Sequence, residues 1–146
     1  MALIGYQDDT SISDDERLFR RIHLTLLVRD DDTGLARVSS GAFKDKELSI
    51  HIESALREAG RPIESCLQND NSLRLVSIKA KDARAFNQAV CRDPTPEDSS
   101  HGLIYGSKNN KKISEGLRTA AIWIIPPSAP SFEYVEAEKR VFGLKV

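Results

Sequence analysis

The chain predicts an α+β domain: an antiparallel-rich sheet with a few short helices and one main helix near residues 110–124. Three observations carry this expectation. Several short segments alternate apolar and polar side chains, the period-two mark of half-buried strands. Turn-forming Asp, Gly, Pro and Asn residues punctuate them at close intervals. Ile113, Leu117, Ala120, Ala121 and Ile124 keep helical spacing, and Pro126-Pro127 would stop that helix. At 146 residues the chain is the size of one domain, which buries roughly two thirds of its unfolded surface.

Taken in order, residues 1–15 read as a mobile acidic arm, with Asp8, Asp9, Asp14 and Asp15. Ser13 with Glu16 has the form of a capping box. Leu24-Thr25-Leu26-Leu27-Val28 is apolar and β-rich, so a strand is expected there. Asp30-Asp31-Asp32-Thr33-Gly34 is a turn, and Leu35 to Phe43 returns as a hairpin. Leu48 to Ile52 alternates, with Ser49 and His51 on one face. Glu53 to Ala59 is a short helix closed by Gly60, with Pro62 beyond. Leu73 to Ala80 is the clearest strand. A helical turn near Asp82 to Phe86 and a short strand at Ala89 to Cys91 follow.

Next comes an extended approach, Asp93-Pro94-Thr95-Pro96-Glu97-Asp98-Ser99-Ser100, stiffened by its prolines. It leads through His101 into the apolar burst Leu103-Ile104-Tyr105, held between Gly102 and Gly106. This places His101 at a sheet edge where loop becomes strand. Residues 16–125 are thus the α+β domain, and 126–146 are a linker and docking tail with Phe132, Tyr134, Val141, Phe142 and Leu144.

Composition narrows the classes of function. The net charge is −1, with 40% hydrophobic and 29% charged residues. A whole-chain basic field for nucleic acid is therefore lacking. No apolar run reaches the roughly 18 residues of a membrane span. Met1 to Tyr6 lacks the basic region and long apolar stretch of a secretory leader. Cys66 and Cys91 are isolated and read as buried thiols of a cytoplasmic protein. No Cys or His pair has metal-ligand spacing.

Four candidate groups could carry chemistry. In Arg20-Arg21-Ile22-His23 an extended backbone puts Arg21 and His23 on one face, a pairing suited to phosphate. The alternative is a solvated charged face. Ser39 and Ser40 precede Gly41 and could bond a ligand; otherwise they end a strand with locally satisfied hydroxyls. Ser49, His51 and Glu53 could orient an imidazole for proton transfer, or form the wet side of a sheet. His101 lies near the basic loop of Lys108, Lys111 and Lys112, which could meet phosphate or be a solvated turn.

The blocks Leu18 to His23, Ser39 to Phe43, Leu48 to Ile50 and Pro96 through His101 to Gly106 resemble those of a group of small uncharacterised bacterial proteins. The similarity spans residues 16 to about 124 and implies no activity. A weaker resemblance is to small ADP-ribosyltransferase-like domains, including the RES type. It implies that Arg21 and Ser39-Ser40 bind NAD while Glu53 or Glu115 supports catalysis.

The functional expectation is a small bacterial cytoplasmic binding domain with an Arg/His/Ser face and no cofactor. Its ligand would be a phosphate-bearing small molecule or a protein partner, the latter reached through the tail at 131–146. Arg21, His23, Ser39, Ser40, Ser49 and Lys108 would bind, with His101, His51 and Glu53 as the catalytic candidates. The alternatives are an enzyme acting on a nucleotide or NAD, and a toxin–antitoxin or immunity-type partner protein.

Overall fold

The computed structural model describes residues 7–144. The N-terminal residues 1–6, read above for a leader, and the tail's last two residues lie outside the described part. The chain runs β1 (Arg17–His23), β2 (Leu27–Arg29), β3 (Ala36–Val38), β4 (Glu47–Ile52), α1 (Glu53–Glu58) and β5 (Leu73–Lys79). It continues through α2 (Ala80–Ala85), β6 (Ala89–Arg92), β7 (His101–Tyr105), α3 (Lys111–Ala120), β8 (Ile122–Ile125) and α4 (Phe132–Val141). Six strands form one antiparallel sheet in the order β6-β7-β4-β1-β5-β8, and β2 and β3 form a separate hairpin. The fold is α+β with a mostly antiparallel sheet, as the alternation predicts.

Strand alternation divides the sheet into two unlike faces. Leu18, Ile22, Leu48, Ile50, Ile52, Val76 and Ile78 fill one of them. They are buried in the main core, which also takes in Ala80 and Ala83 of α2, Leu117 of α3 and Val135 of α4. On the other face Phe19 and Leu75 are buried with Leu56 of α1 and with Cys66, from the helical turn Ile63–Leu67. That second cover is partial. Beyond it the same face carries Arg21, Ser49, His51 and His101, fixed there by the pairings Arg21↔Leu75, Ser49↔Leu103, Phe19↔His51 and His51↔His101.

Several sequence expectations change. The main helix stops at Ala120, and Ala121 is already extended. Ile122 to Ile125 then pair with β5 as an edge strand. In an unbroken apolar run, helical and strand spacing look alike, and the β-branched and aromatic residues favour the strand. The expected strand at 24–28 is interrupted by a helical turn over Leu24–Leu26.

The acidic arm is packed. The Asp9 amide donates to Val90 O at 2.8 Å, Asp8 Oδ1 accepts from the Val90 amide at 2.9 Å, and Ile12 is buried. These bonds cover the β6 edge that would otherwise present unpaired backbone groups. Ser13 caps a turn rather than a helix, and the Glu16 carboxylate instead accepts from Ser54. Finally, the tail forms α4 and docks on its own domain through Val135, Glu138 and Lys139.

α2 and α3 meet at Gly116, where an added Cβ would lie 2.1 Å from the tip of the Phe86 ring. Gly116→Ala is therefore expected to destabilise by about 1–3 kcal/mol through overpacking. This outweighs the roughly 1 kcal/mol that alanine gains in a helix. A midpoint in urea above the wild-type value would show that Phe86 simply swings aside.

Candidate functional site

Because β4 and β7 are antiparallel with His51 opposite His101, the two imidazoles project from the same face as close neighbours. Their ring centroids are 6.4 Å apart and the planes cross at 85°. Gly102 follows His101 on the opposite face, where a Cβ would come within 2.7 Å of Cys91 O. Glycine there lets β6 close on β7 directly beside the site.

Each ring is held by an aspartate from the proline-rich approach to β7. His51 Nδ1 lies 3.0 Å from Asp98 Oδ2 and 3.2 Å from Ser100 Oγ. The Ser100 hydroxyl donates its proton to Asp98 Oδ1, so it and Asp98 Oδ2 both act as acceptors toward Nδ1. Nδ1 therefore carries hydrogen, and in the neutral ring Nε2 holds the lone pair. His101 Nδ1 faces two further acceptors, Asp93 O at 2.9 Å and Asp93 Oδ2 at 3.1 Å. In its neutral ring Nε2 likewise holds the lone pair.

Asp98 organises the site. It accepts from the Ser100 amide and hydroxyl and, at 2.7 Å, from Arg61 Nη1. Burial works to raise its pKa, but the bonds from Ser100 and Arg61 outweigh burial and hold it at about 2. For His51, burial dominates and lowers the pKa to about 4. Asp98 opposes that, while Arg21, His101 and Arg61 reinforce it. His51 is thus a neutral imidazole at physiological pH. Burial also pushes the Cys66 thiol up to about 11, so it is no thiolate nucleophile.

The site is a shallow face with a buried floor. The His51 side chain is 6% exposed, Asp98 16%, His101 20% and Arg61 29%. Arg61 also borders a depression of about 180 Å³ floored by Leu56 and Ile63. Arg21 is half-buried, with Nη1 on Gln68 Oε1 at 3.2 Å, and its charge is felt at both His51 and Cys66.

Of the residues singled out from the sequence, Arg21, His23, Ser49, His51 and His101 share this face. His23 stands at its end, where Nδ1 accepts from the Thr25 amide and caps the turn after β1. The others go elsewhere. Ser39 and Ser40 open the turn whose Ala42 and Phe43 enter the main core, across the sheet from Arg21. The expected pairing of Arg21 with Ser39-Ser40 around NAD therefore does not assemble.

Glu53 turns to Arg17 and Arg57 and not to His51; the Arg17 bond is the main reason its pKa is lowered. Glu115 pairs with Lys111 along α3. Lys108 is buried, its ammonium donating to Lys46 O, Ile104 O and Gly106 O at 3.0–3.3 Å. Burial, with Arg20 nearby, brings its pKa down to about 8. It pins the β7–α3 loop and does not face a ligand.

Sequence reasoning missed Asp93, Asp98, Ser100 and Arg61. Asp98-x-Ser100 was findable, since an aspartate two residues before a serine is a local turn pattern. Nothing local links Arg61 to Asp98. Among the described residues no group of three His, Cys, Asp or Glu is placed to hold a metal ion, and no helix is long and apolar enough to cross a membrane.

Together these features define an antiparallel α+β domain with an Asp-oriented histidine pair and two arginines whose charges reach His51. No family model matches the chain, and neither a curated protein nor a solved structure does.

Proposed function

We propose that this domain binds a phosphate-bearing ligand on the face formed by Arg21, Arg61, His51 and His101. One observation carries the reading: the charges of Arg21 and Arg61 reach His51, and His51 stands beside His101 with the Nδ1 atom of each ring already held by an aspartate, which leaves Nε2 as the nitrogen to meet a ligand. Guanidinium suits phosphate because its fork matches two oxygens. Imidazole adds a donor or an acceptor as its charge requires. The backbone of antiparallel strands fixes Arg21, His51 and His101, while Arg61 follows α1 and is held by Asp98.

The histidine orientation also favours a second reading, an enzyme acting on a nucleotide. An aspartate behind each ring is the arrangement that tunes and aims an acid or base. A third reading, docking to a protein partner, draws support from the outer side of α4, where Tyr134, Val141 and Phe142 are exposed.

Thermal unfolding in the presence of phosphate, nucleoside mono- and diphosphates, NAD and short RNA tests the proposal. A true ligand at about a hundredfold excess over its Kd stabilises by about 2.7 kcal/mol. Arg21→Ala should abolish most of that gain. An Arg21→Ala protein that is stabilised as much as the wild type would remove Arg21 from the site.

A further inference from the structure

We propose that the His51–His101 pair cleaves a ribonucleotide phosphodiester by internal transfer to the neighbouring 2′-hydroxyl. This rests on the phosphate-binding reading and adds the reaction and substrate class. Two imidazoles on adjacent strands with centroids 6.4 Å apart can address opposite sides of one phosphorus. Each ring has Nδ1 fixed by aspartate, so Nε2 is the nitrogen left to move a proton.

His51 is the base, since its floor position keeps the ring neutral with the lone pair on Nε2. An anionic substrate beside it raises its proton affinity and brings it nearer a working base. His101, closer to solvent, is the acid. A substrate that carries its own nucleophile needs only these two proton transfers.

The step balances. The 2′-hydroxyl proton passes to His51 Nε2 as the 2′-oxygen–phosphorus bond forms. The phosphorus–5′-oxygen bond breaks, and the leaving oxygen takes a proton from His101 Nε2. The products are a 2′,3′-cyclic phosphate and a free 5′-hydroxyl, with nothing oxidised or reduced. Arg21 and Arg61 meet the non-bridging oxygens. Asp98 and Asp93 are positioning residues. The chain's net charge of −1 suits a short substrate rather than a long polyanion.

The test uses the full chain, the complete set of diribonucleoside monophosphates, and their 2′-O-methyl analogues. Binding is followed by thermal shift and products by chromatography. The wild type should yield 2′,3′-cyclic phosphates and should bind the 2′-O-methyl analogues without cutting them.

His51→Gln and His101→Gln should each lower turnover by about 10²–10⁴-fold. Asp93→Asn and Asp98→Asn should displace the pH profile of kcat/KM, which a purely structural role would not do. His101 is a rim residue, so its variant tests the idea even if His51→Gln folds poorly. Binding without turnover by the wild type overturns this inference and leaves the phosphate reading standing. Absence of binding overturns both. Cleavage that survives in the His51→Gln/His101→Gln double variant, or that also cuts the 2′-O-methyl analogues, overturns the inference.

Discussion

Arg74→Met is expected to destabilise the domain by about 3–5 kcal/mol, because it strands a buried carboxylate. Arg74 Nη2 donates to Glu138 Oε2 at 2.6 Å, and both side chains are 11% exposed. The guanidinium also ties down Asn71 O and Leu73 O at 2.8 Å. Ser128 Oγ adds a bond to the same carboxylate oxygen, while Glu138 Oε1 is buried and has no partner among the described residues.

The pair therefore clamps α4 to β5 across residues far apart in sequence, at a large desolvation cost. Removing one charge leaves that cost uncompensated, whereas removing both replaces it with apolar packing. The double variant Arg74→Met/Glu138→Leu should accordingly recover most of the loss in urea unfolding. A single variant within about 1 kcal/mol of the wild type, or a double variant as damaged as the single, would show that the pair does not hold α4.

That clamp also illustrates what the sequence hides. Arg74 sits in the best alternating strand of the chain and lies on its buried side. Alternation alone marks the position as a face without saying that a glutamate 64 residues later makes a charge tolerable there. Local pattern was enough for β4, β5 and α1, where apolar spacing and a closing glycine agree, but it placed the first strand at 24–28, just past the observed β1. It was also enough to put Ser49, His51 and Arg21 on their faces.

It failed where a pattern had two meanings. Ile122 to Ile125 extended the helical spacing of α3 by coincidence, yet became an edge strand. Asp8 and Asp9 read as solvated charges, but their partners Arg84, Val90 and Arg92 lie more than seventy residues downstream. Lys108 read as a free cation because its three acceptors are backbone carbonyls, which leave no signature in composition. The histidine pair was half legible. His51 could be assigned to a strand face, whereas His101 was expected at a sheet edge and stands on β7 between β6 and β4; their convergence depends on the β4–β7 register, and their aspartates come from a loop whose path the prolines only stiffen.

The domain should lose stability between about pH 6.5 and about pH 4, and His51 should account for the loss. Burial holds its folded-state pKa at about 4 against an ordinary value of 6.5. Asp98 pulls the other way, and Arg21, His101 and Arg61 push further down. Between those two values the unfolded chain takes up a proton that the folded protein refuses. Stability is thus fully present above pH 6.5, falls as pH drops, and levels off below 4. A difference of about 2.5 pH units corresponds to at most about 3 kcal/mol.

Asp98 contributes separately and at lower pH. Its folded-state pKa of about 2, against 3.8, gives stability that is present above 3.8 and lost as pH falls toward 2. The two windows barely overlap, so they can be resolved. Urea unfolding of the wild type and of His51→Gln, from about pH 7 to about pH 4.5, isolates the histidine. The variant is less stable at neutral pH because the packing and the Asp98 contact change, but its curve should be nearly flat where the wild type slopes. Parallel curves would mean that His51 protonates in the folded state as easily as in the unfolded chain. The buried floor of the site would then be open to water, and the neutral base assigned to it would be lost.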